Sequence, residues 1–282
     1  MEPVKRALRH MLDQAVRTFP VRGRHRLVKW AGPWLAPPPG ELFRLNGVVL
    51  DLDHALFSHR AIYYGLYEES LVNFLKARLR PGDIVLEPGA NIGYISAVCV
   101  GLVGPTGHVH SFEPSPTANA RIRKDNDLAK HGNWSLWDAA LTDHEGQEVF
   151  NDTPRVLEAG YAALARAATP KDSIPHPVDV VSVDHFCERH KIDHVRFLKL
   201  DIEGSELAAL RGASGMMGRG AIDVIMVETN TSAGAHRQIA GNIDKLLRQA
   251  GYTSYHMRRN GSIRPLDVMK DVPFREDVIW MR

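Results

Sequence analysis

An apolar run, Ile84-Val85-Leu86, ends in an acid, Glu87, and passes through Pro88-Gly89-Ala90-Asn91 into an apolar segment, Ile92 to Val103. No other feature restricts the folding of this chain as strongly. A short apolar run closed by a glycine turn predicts a buried strand, and the apolar segment after it predicts a helix. Strand, tight loop and helix in that order form the unit of a parallel sheet covered on both faces. The loop falls at the carboxyl end of the strand, where such sheets hold nucleotide-like cofactors. There the glycines admit a ligand close to the backbone, and the helix terminus offers free N–H groups.

The remaining sequence repeats this unit. Strands are predicted at Ile84–Glu87, His108–Glu113, Ser135–Ala139, Phe197–Asp201, Ile222–Glu228, Thr253–Met257 and Val278–Met281. Helices are predicted at Ile92–Val103, Pro116–Lys130, Ser205–Gly212 and His236–Gln249. The expected fold class is α/β: a Rossmann-like, mostly parallel sheet with helices on both faces. The last two strands, joined by a short polar connection, are expected to pair antiparallel at one edge. Residues 146–196 break the alternation and predict extra strands (Glu148–Asn151, Val178–Val183) and a loop rich in Ala and Pro.

A chain of 282 residues can bury one large core with a small appendage. Three stretches are expected: 1–40, 41–82 and a cofactor-binding domain over 83–282. Residues 1–30 carry eight Lys/Arg against two acids, with Leu8, Met11, Leu12, Ala15 and Val16 at helical spacing. This amphipathic basic segment reads either as a capping helix with a solvated face or as a contact for an anionic membrane or a partner protein. Ala36-Pro37-Pro38-Pro39-Gly40 reads as a linker. Alternation around Asn46-Gly47 predicts a β-hairpin, Leu42–Leu45 with Val48–Leu52, and Tyr67–Leu79 predicts a helix stopped by Pro81-Gly82. A net charge of +2 gives no reason to expect nucleic acid as a partner. Two cysteines make neither a disulfide framework nor a zinc site, and Cys99 reads as a small core residue. With no signal-peptide pattern and no run of ~18 apolar residues, the expected location is cytoplasmic, membrane-peripheral if residues 1–30 meet a bilayer.

The cofactor follows from charge. Glu113 ends the second strand 20 residues after Gly93, where an acid can accept hydrogen bonds from ribose hydroxyls. The loop Gly89-Ala90-Asn91-Ile92-Gly93 lacks the glycine spacing of a dinucleotide site, and Glu87 would repel a pyrophosphate. A sulfonium with an ammonium group would be attracted. The residues therefore favour S-adenosylmethionine (SAM) over NAD, with an NAD-dependent oxidoreductase as the alternative. The cofactor set comprises Glu87, Gly89, Ala90, Asn91, Gly93, Glu113 and Pro114, joined by Asp138, Ala139 and Ala140 around an adenine. A second acidic run, Leu200-Asp201-Ile202-Glu203-Gly204-Ser205-Glu206, follows another buried strand, and Glu228 ends the next. Asp201, Glu228 or His236 could take the proton of an acceptor hydroxyl. Glu203 and Tyr67 are expected to contact the acceptor, while Glu206 could instead serve its helix N-terminus. Asp201, Glu203 and Glu228 could hold a divalent metal, but the acids alone do not specify one, and none is favoured.

Several segments resemble the FkbM family of SAM-dependent methyltransferases: Pro81-Gly82-Asp83 through Gly93, Phe112-Glu113-Pro114, Ala139-Ala140-Leu141 and, above all, Lys199-Leu200-Asp201-Ile202-Glu203-Gly204-Ser205-Glu206. Leu50-Asp51 and Gly65-Leu66-Tyr67-Glu68 are similar to the family's lead-in. The resemblance covers roughly residues 45–282. It departs at Glu87-Pro88, where the family usually has aspartate and a small apolar residue. It implies a seven-stranded sheet with an antiparallel final strand, and methylation of a hydroxyl on a sugar, a glycan or a polyketide-type natural product. Methylation of nucleic acid or protein is the other enzymatic alternative. Against nucleic acid, acids occupy the place of the Asn/Asp-Pro-Pro-aromatic turn of amino-group methylases and would repel phosphates.

Overall fold

The computed structural model describes residues 2–18, 23–37, 41–152, 163–164, 173–272 and 274–282. The middle of the expected linker, Pro38-Pro39-Gly40, and most of the expected Ala/Pro-rich loop lie outside these residues.

The chain opens with two helices, α1 (Glu2–Thr18) and α2 (Arg24–Leu35). They bury Leu12, Val16 and Val28 against Ala61, Tyr64 and Leu66. The Arg24 guanidinium fastens the pair, donating to the Val16 carbonyl at 2.9 Å and to Glu69 at 2.5 Å. The hairpin β1 (Phe43–Leu45) and β2 (Val48–Leu50) follows. Its turn residues Asn46 and Gly47 both have positive φ, as a type I′ turn demands. Next come α3 (Phe57–Tyr63) and α4 (Glu69–Arg78).

The main sheet begins with β3 (Ile84–Pro88), α5 (Tyr94–Val103), β4 (His108–Phe112), α6 (Pro116–Asp125) and β5 (Trp134–Trp137). Ser115 caps α6, its hydroxyl accepting from the Ala118 N–H at 3.0 Å, and Pro116 occupies the first turn. A second, four-stranded sheet then holds β6 (Ala139–Thr142), β7 (Gly146–Asp152), β8 (Ala163–Leu164) and β9 (Ile174–Ser182). The chain returns through α7 (Val183–His190), β10 (Val195–Leu200), α8 (Glu206–Arg211), α9 (Ser214–Gly218) and β11 (Ile222–Asn230). It continues as α10 (Ala235–Gln249), β12 (Thr253–Met257), β13 (Ile263–Pro265), α11 (Val268–Asp271) and β14 (Arg275–Met281).

Among the described residues the main sheet has eight strands, in the order β13-β12-β14-β11-β10-β3-β4-β5. Strands β11, β10, β3, β4 and β5 run parallel, and β14 runs antiparallel between β11 and β12. Side chains alternate across it. Val85, Phe197, Val224 and Met226 enter the core beneath α4 and α5, and Leu86, Leu198, Ile225 and Val227 enter the core on the other face.

The expected fold class stands, with three local differences. The edge is the additional strand β13, which carries Arg264 and Pro265, residues suited to an edge. The antiparallel strand β14 is interior because Val278, Ile279 and Trp280 are buried on both faces. The strand expected over Ser135–Ala139 breaks at Asp138: β5 stays in the main sheet, while β6 leaves to pair with β9.

Candidate active site

The parallel strands deliver the carboxyl ends of β3, β4, β10 and β11 to one cavity of about 260 Å³. Glu87, Gly89, Ala90, Asn91, Glu113, Pro114, Ala139 and Ala140 line one part of it; Tyr67, Asp201, Glu203 and Glu228 line another. Two glycines make the loop possible. Gly89 has φ +79°, and a Cβ there would sit 2.3 Å from the Asp201 carbonyl oxygen, so only glycine lets the two loops touch. Gly93 has φ +81° at the start of α5 and packs behind the loop, where a Cβ would meet Leu128 at 2.8 Å. It shapes the cavity without lining it.

The two strand-end acids are fully inside. Glu87 Oε2 accepts from the hydroxyls of Ser96 at 2.5 Å and Ser111 at 2.9 Å, and burial pushes its carboxyl up to about 7. Glu113 accepts backbone N–H groups on both oxygens, from Asn91 at 2.8 Å and Ser115 at 3.0 Å, and burial likewise pushes it up to about 7. Glu87 Oε1 and both oxygens of Glu113 retain a lone pair for a ligand. Asn91 Oδ1 and Ser205 Oγ, both on residues lining the cavity, are buried with no hydrogen-bond partner among the described residues. Such atoms are costly unless a ligand or water satisfies them. Buried acids for the cations of SAM, unpaired polar atoms and an apolar wall of Pro114, Ala139, Ala140 and Phe150 suit that molecule.

The other end of the cavity is ionic. Lys199 is 4 % exposed, and its ammonium donates to Asp201 Oδ2 at 3.0 Å. This neighbour holds the Asp201 carboxyl below its ordinary range, and Asp201 helps hold Lys199 above its own. Burial raises the Glu68 and Asp277 carboxyls, and Lys199 opposes both shifts. Arg275, from β14, forks onto both oxygens of Glu228 and reaches Glu203 at 3.1 Å. Burial pushes Glu228 up to about 7 in spite of that pairing. Asp201, Glu203 and Glu228 bring carboxylate oxygens within 4.8 Å of one another. Each already faces a protein cation, Lys199 on Asp201 and Arg275 on the other two.

Two expected residues lie elsewhere, and both are corrections. Asp138 is exposed and its carboxylate pairs with Arg123 at 2.6 Å, because the chain turns outward where β5 gives way to β6. It does not line the cavity. His236 is exposed in the first turn of α10 and does not line the cavity, so it is no candidate base. Glu206 serves its own loop, accepting the Ile202 and Gly204 N–H groups at 3.1 Å each.

Two residues that line the cavity, Lys199 and Arg275, and one that supports it from behind, Asp152, escaped sequence reasoning. A lysine inside the apolar run Phe197-Leu198-Lys199-Leu200 is itself a signal, since a charge on a buried strand requires a partner. Asp152 accepts from the Ser115 hydroxyl at 2.8 Å and the Thr117 hydroxyl at 2.7 Å, tying the small sheet to the start of α6 beside Glu113.

Among known families, the model of the methyltransferase FkbM domain matches residues 87–254, more than half of the chain. The hexuronic acid methyltransferase AglP of Haloferax volcanii is 24% identical over 185 residues, covering 65% of this chain and 69% of that protein. A protein-L-isoaspartate O-methyltransferase of Methanothrix thermoacetophila is 36% identical over 102 residues, covering 36% of this chain and 42% of that protein. A crystal structure of the methyltransferase FkbM from Methylobacillus flagellatus KT aligns with a TM-score of 0.44 at 14% identity, over 80% of this chain and 54% of that chain. The chain thus spans about half the length of that FkbM protein. Aeropyrum pernix fibrillarin, crystallised with natively bound SAM, aligns with a TM-score of 0.40 at 12% identity, over 74% of this chain and 72% of that chain.

Proposed function

The chain belongs to the FkbM family of SAM-dependent methyltransferases, and on that premise we propose that it methylates a hydroxyl oxygen of a saccharide. The observation that carries this reading is the ionic mouth: Asp201, Glu203, Glu228 and Arg275 at one end of a cavity whose other end holds Glu87 and Glu113. Such a mouth offers hydrogen bonds in several directions, which a polyhydroxylated acceptor can use and an apolar polyketide surface cannot. The likeness to a hexuronic acid methyltransferase points the same way. The acids at both ends disfavour the pyrophosphate of NAD and the phosphates of nucleic acid.

Bound SAM would supply a methyl already activated on a cationic sulfur, so the protein's part is holding, alignment and proton removal. Glu87 and Glu113 would hold the cofactor's cationic and ribose parts. Asn91 Oδ1 and Ser205 Oγ would take hydrogen bonds from it, and Ala139, Ala140 and Phe150 would enclose the adenine. Asp201, kept ionised by Lys199, accepts the hydrogen bond of the acceptor hydroxyl and aims its oxygen. The same lysine makes Asp201 a weak base. Glu228, pushed up to about 7, is matched to take the proton near neutral pH as the oxygen–carbon bond forms. Arg275 keeps Glu228 in place.

The test is turnover of radiolabelled SAM against neutral hexosides, uronic-acid oligosaccharides, a polyketide macrolide, an isoaspartyl peptide and RNA. Label is expected in a base-stable methyl ether on a saccharide. Label confined to a base-labile ester on the peptide, or to the macrolide or RNA, would refute the proposal.

A further inference from the structure

The helix pair α1–α2 carries more apolar surface than its packing uses. Leu12, Val16 and Val28 face the domain, yet a second stripe stays in solvent: Val4, Leu8 and Met11 on α1, and Leu27, Trp30 and Trp34 on α2. Trp30 is 85% exposed and Trp34 80%, whereas Trp134 is 9% exposed and Trp280 fully buried. The spacings i, i+4, i+7 and i, i+3, i+7 place each stripe on one helix face. The two helices meet at one end of the stripes, where Ala15 and Val16 of α1 line a hollow with Leu27 and Trp30 of α2. The border is basic: Lys5, Arg26 and Lys29 are exposed, and Asp13 and Glu2 are the only acids in the described residues 2–37.

We propose that this face docks the enzyme onto an anionic lipid bilayer. Tryptophans at the rim of an apolar stripe, bordered by Lys and Arg, match the arrangement of helices that lie in the membrane interface. No helix among the described residues is long and apolar enough to cross the membrane, which leaves an in-plane position for this pair. A second copy of the chain is a poor occupant, because it would bring two basic borders face to face. The first residues of α2 border the site. Arg24 and His25 at the start of α2 share a cleft of about 610 Å³ with Glu68 and Arg275, and those last two residues also line the reaction cavity. Resting on the saccharide reading, the acceptor class becomes a glycan presented at a membrane surface.

The experiment is co-sedimentation of the full chain with vesicles of phosphatidylcholine alone and with about 30% phosphatidylglycerol added. Binding is expected to the anionic vesicles, with a blue shift of tryptophan emission, and is expected to fall at high salt. Trp30→Ser with Trp34→Ser, and separately Arg26→Glu with Lys29→Glu, should each weaken partition by about tenfold or more. Both variants should keep the melting temperature and the SAM affinity of the parent. Absence of partition into anionic vesicles, partition unchanged in both variants, or a parent dimer that the tryptophan variant dissociates without lipid would overturn the proposal. Vesicle binding is read without turnover, so a saccharide that goes unmethylated leaves this result standing.

Discussion

Lys199 is the residue whose removal tests the electrostatic frame of the site most directly. Its ammonium is buried at 3.0 Å from Asp201 and also lies in the field of Glu87 and Glu68. Lys199→Met keeps the length and the apolar stem and deletes the cation. Breaking a buried ion pair by removing one partner costs roughly 3–5 kcal/mol. Asp201 keeps 34% of its side-chain exposure, so water screens part of that loss, and the lower end, about 3 kcal/mol, is expected. At roughly 2–4 °C per kcal/mol for a domain of this size, the melting temperature should drop by about 6–12 °C at pH 7.5. The sign with pH is fixed. Asp201 has a depressed folded pKa, so its stabilising contribution is present above about 3.9 and disappears as pH falls through the lower folded value. Lys199 has a raised one, so its contribution is complete below about 10.4 and is lost only as pH rises through the folded value. In the variant the stranded carboxyls can take up protons instead, so the gap to the parent should narrow between pH 7.5 and 4.5. Circular-dichroism melts of both proteins at both pH values measure this. Equal melting temperatures at pH 7.5, or a gap that widens toward acid, would refute the frame.

Four other outcomes follow from the same geometry. At saturating SAM, kcat should rise with pH through a single limb near 7, gaining about tenfold from pH 6 to the plateau; Glu228→Gln should abolish the limb and most of the turnover. Glu113→Ala should weaken SAM binding by about 10- to 100-fold in calorimetry, the loss of a charged hydrogen-bond acceptor. In the parent, the same titration at pH 6.5 in two buffers should register proton release, since Glu87, held near 7 when SAM-free, must ionise to meet a cation. Chelator treatment followed by assay in metal-free buffer should leave turnover unchanged, because each of the three clustered carboxylates is already paired with Lys199 or Arg275.

What could be read from the sequence was local. Ile84-Val85-Leu86, the glycines at 89 and 93 and the acids at 87 and 113 lie within one strand–helix–strand unit, where hydrophobic period and turn chemistry determine position. Asp201, Glu203 and Glu228 were legible for the same reason, each standing at a strand end. Arg275 was not, since it meets Glu228 only through the antiparallel register Asn230↔Arg275, which no local pattern announces. Asp138 misled because the break from one sheet into another falls inside a continuous apolar–polar run, Trp134 to Leu141. The second N-terminal helix was not separated from the basic segment 1–30, since its Gly32 is buried where Arg60, far along the chain, packs across it.

The interior position of β14 has a temporal side. Strands β3 through β11 are synthesised first and can assemble the donor-binding half around Glu87 and Glu113 while translation continues. Until Arg275–Met281 have been made, β11 is left with one open flank and Glu228 without its arginine. An open flank of Val224-Ile225-Met226-Val227 invites pairing with other chains. A ribosome stalled shortly before residue 275 would therefore expose a sticky, half-built protein able to grip the methyl donor but lacking the group that steadies its base.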